Sequence, residues 1–499
     1  MTENEGAPGS FMAAIGLIAG PLLLLVMLML PPPGSLTPNA WAVAAVTALM
    51  VVWWITEALP VAATALLPIV AFPLLGVAEV QDATAPYAHP LIFLFLGGFL
   101  IAKAVERWNL HRRLALSILR AVGAAPHRLI GGFMAATALL SMWLSNTATT
   151  IMMVPIALAV VRLLETGEER EGVMRGDGFG LALLLGIAYA ASLGGLGTLI
   201  GTPPNALLAA FLAERYGIVI GFAQWMMLGV PLAAVLLLLT WLLLTRFAFR
   251  VARQPIAGAA ETISRQLQDL GRPRREERLV ALVFAAVALL WITRPLLNGL
   301  LPGLQLSDPV VAMLGGLVLF VVPTDLRSGT FLLNWQSAKE LPWGVLLLFG
   351  GGLSLASAIQ SSGLAGWIGE VLAGCAGWPP LALVLLVTAV VVFLTEVTSN
   401  TATASVFIPI AATLGACISE DPMIFAVPVA LAASCAFMMP VATPPNAIVY
   451  ASGKVRIPQM ARAGFLLNLI CILVITGATY AAAAWIFAGA LPGPGPMPY

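Results

Sequence analysis

The chain has 499 residues, 60% hydrophobic and only 9% charged, with a mean hydropathy of +0.98. Soluble globular chains carry roughly 25% charged residues, so an ordinary water-soluble domain is excluded. A net charge of +1 offers nothing to a nucleic-acid backbone, and no nucleic-acid partner is expected.

Taken in chain order, Met1–Ser10 is polar, contains two glutamates and lacks the basic stretch that opens a secretory signal. Phe11–Leu30 is long enough to cross a bilayer core and is predicted as the first transmembrane helix, not a cleaved leader. Further spans are predicted near 39–58, 60–76, 89–108, 178–213, 222–246, 279–300, 307–323, 342–360, 422–452 and 462–489, eleven crossings in all. Two other apolar stretches, 128–163 and 378–418, need separate treatment. The fold class that follows is an all-α polytopic membrane protein. Residues 1–38 hold the tail and first helix, 39–245 a first repeat, 246–278 a polar, partly helical linker, 279–490 a second repeat and 491–499 a tail.

Basic residues orient this plan. Arg107 to Arg175, the eight arginines from Arg246 to Arg278, Arg327, Lys339, Lys454, Arg456 and Arg462 fall on one side. The other side receives Arg215 and Arg294. The N-terminus is therefore expected in the cytoplasm and the C-terminus outside, in a cell inner membrane.

The halves repeat each other. Ser145-Asn146-Thr147-Ala148-Thr149 recurs as Ser399-Asn400-Thr401-Ala402-Thr403, 254 residues later. The same offset carries Pro155-Ile156-Ala157 onto Pro409-Ile410-Ala411 and Gly97-Gly98 onto Gly351-Gly352. Thr202-Pro203-Pro204-Asn205-Ala206 recurs as Thr443-Pro444-Pro445-Asn446-Ala447, at an offset of 241. By the charge plan the repeats have opposite orientations, and 128–163 and 378–418 each begin and end on one side. A full two-helix hairpin would carry its Ser-Asn-Thr run to the far surface. A re-entrant hairpin would hold it at mid-membrane, and this is the favoured reading. Inverted repeats with broken helices around a midplane site are the build of secondary transporters.

Non-helical backbone at membrane depth is tolerated where it is buried in protein or lines a wet cavity. The Ser-Asn-Thr runs invite such backbone, and so do the Thr-Pro-Pro-Asn runs, whose prolines remove donors. Helix N-termini there suit carboxylates. Freed carbonyls, hydroxyls and amide oxygens suit Na⁺. No Lys or Arg lies within either tip or either break. A bare dianion there would be prohibitive, whereas bound sodium ions would neutralise it and couple the two fluxes.

The remaining polar residues carry plainer readings. Glu396 has Met142 as its repeat counterpart and is read as bracing the hairpin, not relaying protons. Glu57 is read as structural or interfacial. His89, His111 and His127 have no metal spacing, and Cys375, Cys417, Cys435 and Cys471 read as buried free thiols. The absence of HExxH, GxSxG and P-loop patterns, and of any nucleotide domain, speaks against an enzyme or an ATP-driven pump.

With these runs, Trp54-Ile55-Thr56-Glu57-Ala58-Leu59-Pro60, Leu96-Gly97-Gly98-Phe99, Trp108-Asn109-Leu110-His111-Arg112-Arg113 and Met439-Pro440-Val441-Ala442 make the chain similar to the divalent anion/sodium symporter family, from about 40 to 490. The resemblance implies a homodimer whose protomers each have a scaffold and a transport domain, the latter moving as an elevator. It implies a first sodium site at Ser141, Ser145, Asn146 and the Gly201 carbonyl, and a second at Thr395, Ser399, Asn400 and the Ala442 carbonyl. Substrate would be held by Asn146, Thr147, Asn400 and Thr401, with Thr202, Thr443 and Pro444 close by. Sodium-coupled symport of C4-dicarboxylates (succinate, fumarate, malate) is the leading expectation. A dicarboxylate exchanger and a sulfate/sodium symporter are the alternatives on the same fold.

Overall fold

The computed structural model describes residues 11–486 apart from 169–176, 250, 252–254, 257, 302, 304–305, 326, 328, 373–376 and 419–420. Arg170, Arg175, Arg250 and Arg253 of the charge plan, Cys375 and the C-terminal tail lie outside the described residues.

The fold is helical almost throughout. The chain begins with α1 (Phe11–Met29), α2 (Pro38–Thr56), α3 (Val61–Thr64), α4 (Leu67–Leu74), α5 (Val80–Thr84), α6 (Pro90–Arg107) and α7 (Leu110–Val122). A first helix pair follows, α8 (Pro126–Ser141) and α9 (Asn146–Glu168), then α10 (Asp177–Gly195), α11 (Pro203–Tyr216) and α12 (Phe222–Leu242). The linker contains α13 (Ala259–Asp269). Beyond it come α14 (Arg275–Leu300), α15 (Asp308–Val321), α16 (Trp335–Ala338), α17 (Trp343–Ser361) and α18 (Leu364–Leu372). A second pair, α19 (Pro380–Leu394) and α20 (Asn400–Ile418), precedes α21 (Met423–Ala432), α22 (Pro444–Ala451) and α23 (Ile457–Ile486).

Proline sets many helix starts. It occupies the first or second position of α2, α4, α6, α8, α11, α15, α19 and α22. There its missing N–H costs nothing and its fixed φ suits the helix. The same property corrects the predicted span 60–76. That segment is two short helices, α3 and α4, because Pro60 caps the first and Pro68 starts the second. Among the described residues nine helices are long and apolar enough to cross a membrane, joined by five shorter apolar ones. The eleven predicted crossings thus include segments too short to span as single regular helices. The amphipathic α7, also absent from the predicted spans, packs against α8 and α13.

Burial sorts the helices. Of its most apolar window, α10 buries 94%, against 11% for α1 and 17% for α14. The first is surrounded by protein, and the other two present most of their surface outward. The repeated Gly-Gly pair has a packing reason. A Cβ at Gly97 would lie 2.4 Å from the Ala312 carbonyl carbon on α15, and one at Gly351 would lie 2.2 Å from the Ala65 oxygen. Small residues of this kind let helix backbones touch.

Candidate functional site

In the first helix pair, α8 ends at Ser141 and α9 begins at Asn146, so Met142–Ser145 forms a non-helical tip. Ser145 is the N-cap of α9, its Oγ accepting from the Ala148 N–H at 3.1 Å. Ser141 Oγ lies 2.6 Å from Asn146 Oδ1 and 2.6 Å from the Ala191 carbonyl oxygen of α10. In the second pair, Thr395 Oγ1 lies 2.8 Å from Asn400 Oδ1 and 2.9 Å from the Ala433 carbonyl oxygen. A hydroxyl has one hydrogen and cannot donate to two oxygens at once. Each tip therefore holds a cluster of three oxygens that is one proton short, an arrangement that a small hard cation relieves.

The connectors are built alike. Between α10 and α11, Asn205 Nδ2 donates to the Gly195 carbonyl at 3.1 Å and the Thr198 carbonyl at 2.8 Å. Between α21 and α22, Asn446 Nδ2 donates to the Ala436 carbonyl at 3.1 Å and the Met439 carbonyl at 3.0 Å. The Thr-Pro-Pro-Asn asparagine thus fastens the irregular backbone that precedes its own helix. The Oδ1 atoms of both asparagines are buried without a hydrogen-bond partner. Gly201 must be glycine, since a Cβ there would sit 2.4 Å from the Gly195 oxygen. A Cβ at Gly195 would meet both the Gly201 oxygen at 2.9 Å and Asn146 Oδ1 at 3.1 Å, so these two oxygens flank one point.

Tips and connectors share one cavity of about 1220 Å³. Asn146, Thr147, Thr202, Asn400, Thr401, Thr443 and Pro444 all line it, as do Ser145, Gly201, Ser399 and Ala442. Ser141 and Thr395 are fully buried behind it and touch it only through their asparagines. Thr202 Oγ1 is 3.1 Å from Ser434 Oγ, while Thr443 Oγ1 caps α22 by accepting from the Asn446 N–H at 3.3 Å.

The second tip has a support that the first lacks. The Glu396 carboxylate accepts from the Phe437, Met438 and Met439 N–H groups at 2.6–3.1 Å and from Asn468 Nδ2 at 2.7 Å. It clamps the tip to the start of the connector and to α23. At the first tip Met142 offers only its carbonyl, to Thr198 Oγ1. Trp143 instead stacks on Phe222 and on Trp291 of α14, at centroid separations of 5.8 and 6.2 Å.

Sequence reasoning missed the opposite wall. Phe95, Phe99, Lys103 and Glu106 of α6 line the cavity, together with Glu340. The stripe Phe95-Phe99-Lys103 at helical spacing, ending in a charge inside an apolar span, was the available signal. Glu57 lines the cavity too, from a left-handed conformation (φ 51°) that ends α2.

Comparison with known proteins gives concordant results. Residues 13–489 match the family described as the sodium:sulfate symporter transmembrane region. The chain is 45% identical over 471 residues to the sodium-dependent dicarboxylate transporter SdcS of Staphylococcus saprophyticus, covering 93% of this chain and 90% of that one. It is 44% identical over 484 residues to SdcS of Staphylococcus aureus strain USA300, covering 96% and 92%. In fold it is similar to the crystal structure of the YdaH transporter of Alcanivorax borkumensis (TM-score 0.56, 14% identity, 89% of this chain and 99% of that one).

Proposed function

We propose that this chain, which belongs to the sodium:sulfate symporter family, is a secondary active transporter coupling C4-dicarboxylate movement to sodium. The observation that carries this reading is the proton-deficient oxygen cluster at each tip, formed twice from equivalent residues and joined to one cavity through Asn146 and Asn400. Relatives named sodium-dependent dicarboxylate transporters, similar over nine-tenths of their length, support it.

In this reading one sodium ion is held by Ser141, Ser145, Asn146 and the Gly201 carbonyl. A second is held by Thr395, Ser399, Asn400 and the Ala442 carbonyl. The dicarboxylate sits between the tips, against the Asn146, Thr147, Asn400 and Thr401 side chains, with Thr202, Thr443 and Pro444 alongside. The tips contain no fixed cation, so the ions supply the charge that lets a dianion leave water. Substrate binding without sodium is then strongly disfavoured, and that is the coupling. The chain acts as a homodimer in the cell inner membrane, with the N-terminus inside and the C-terminus outside. The helix pairs, α10–α12 and α21–α23 move as one body against a scaffold, carrying the site across.

The test is uptake of radiolabelled succinate by proteoliposomes holding the purified protein. Uptake that needs an inward sodium gradient is expected. Uptake that ignores sodium and requires internal dicarboxylate would make the protein an exchanger. Uptake suppressed by sulfate as strongly as by fumarate would move the substrate class to inorganic dianions.

A further inference from the structure

Lys103 is the only lysine or arginine among the described residues lining the cavity. It shares a face of α6 with Phe95 and Phe99, and eight residues of helix place it about 12 Å along the wall from Phe95. Its ammonium is 2.9 Å from the Glu340 carboxylate and 3.6 Å from that of Glu106. The two glutamates differ. Glu106 is three residues away on the same helix, with a side chain 25% exposed. Glu340 belongs to the short connection between α16 and α17, outside the spanning helices, and its side chain is 60% exposed. The hydrogen bond from Lys103 holds the Glu340 carboxyl below the usual carboxylate range, so it is ionised at neutral pH.

An ion pair with one partner in water is weakly held and exchanges readily. An ammonium is a compact charge with three donors, indifferent to which carboxylate it faces. A dicarboxylate passing between solvent and tips meets one fixed positive charge among the described lining residues, already paired with a solvent-exposed carboxylate.

We propose that Lys103 is a transient carboxylate-binding site at the cavity mouth, with Glu340 as the resident carboxylate that the substrate displaces. A substrate carboxylate in place of Glu340 keeps Lys103 paired, with the substrate's second carboxylate left hydrated at the mouth, while Glu106 keeps the ammonium in place. When the substrate moves on, Glu340 reclaims the lysine and leaves nothing to hold the dianion at the mouth. This inference rests on the dicarboxylate reading of the same cavity. Lys103 could otherwise be a staple joining α6 to the connection before α17, and the two roles differ in sign.

The experiment is succinate self-exchange in proteoliposomes at saturating sodium, which passes substrate through the mouth whichever way the protein is inserted. Lys103→Met should raise the half-saturating succinate concentration on the order of tenfold, the scale of one charge-assisted contact. Lys103→Arg should restore most of that loss. Glu340→Gln, at an exposed position where folding is not at stake, should lower the same concentration by removing the competitor. Sodium activation should not change in any of the three. Lys103→Met and Glu340→Gln shifting succinate dependence in the same direction, or neither shifting it, would overturn the inference and leave the symporter reading standing. Wild-type protein that exchanges no succinate would overturn both.

Discussion

Ser141, Met142 and Trp143 lead into the first tip, and Thr395, Glu396 and Val397 occupy the equivalent places before the second. What the tips share is the oxygen cluster, a hydroxyl set between an asparagine amide oxygen and a helix-end carbonyl. What differs is the support. Trp143 is seated in an aromatic stack that reaches α14. Val397 lines the cavity and is 67% exposed. Glu396 grips three backbone N–H groups where Met142 has no polar side chain to offer. The shared part is what ion and substrate would require. The differing part fastens the first tip to α12 and α14 through an aromatic stack and the second to its connector and α23 through a carboxylate. In the proposed elevator motion, the Trp143–Trp291 contact with α14 is one that must break, while Trp143 and Phe222 of α12 travel together.

The largest effect should test the shared part. Asn146→Ala and Asn400→Ala each remove an oxygen assigned to both ion and substrate, and each should reduce uptake by about 100-fold or more, equivalent to about 2.8 kcal/mol. Wild-type rates in either variant would dissolve the equivalence of the tips. Next comes the clamp. A glutamine at 396 points an NH2 at backbone donors, and each orphaned donor costs about 1–3 kcal/mol. Glu396→Gln should lower thermal stability and raise the sodium requirement while leaving the pH profile of uptake unchanged. A shifted pH profile would make Glu396 a proton carrier instead. Trp143→Ala should cost about 2 kcal/mol, since the ring is half-buried, whereas Val397→Ala should stay within about 0.5 kcal/mol. Equal losses in a melting experiment would remove the asymmetry. A modest effect belongs to the hydroxyls. Ser141→Ala and Thr395→Ala should each raise half-saturating sodium about fivefold, the scale of one modest contact. Unchanged sodium activation in both would withdraw the two ion sites.

Much of this architecture was legible in the chain. Apolar length located the helices, and two five-residue identities located the tips and connectors. Apolar length misled once, at 60–76, because two prolines inside that run divide it into separate short helices. The supports were illegible for a different reason. Glu396 could be read as bracing something, but its partners lie 41–72 residues away and on other elements. Trp143 meets Trp291 across even more chain, and nothing in local spacing announces that stack. Lys103 and Glu340 are separated by more than 230 residues and meet only because α6 packs beside α17. Local pattern specifies elements. Which charges and rings face one another is decided by packing between them.

The central claim is that the two oxygen clusters bind sodium ions which travel with the substrate. Counting radiolabelled sodium and radiolabelled succinate taken up by the same proteoliposomes tests it most directly. More than one sodium ion should enter with each succinate, and both fluxes should vanish together in Asn400→Ala. Succinate entering with no accompanying sodium would contradict the claim.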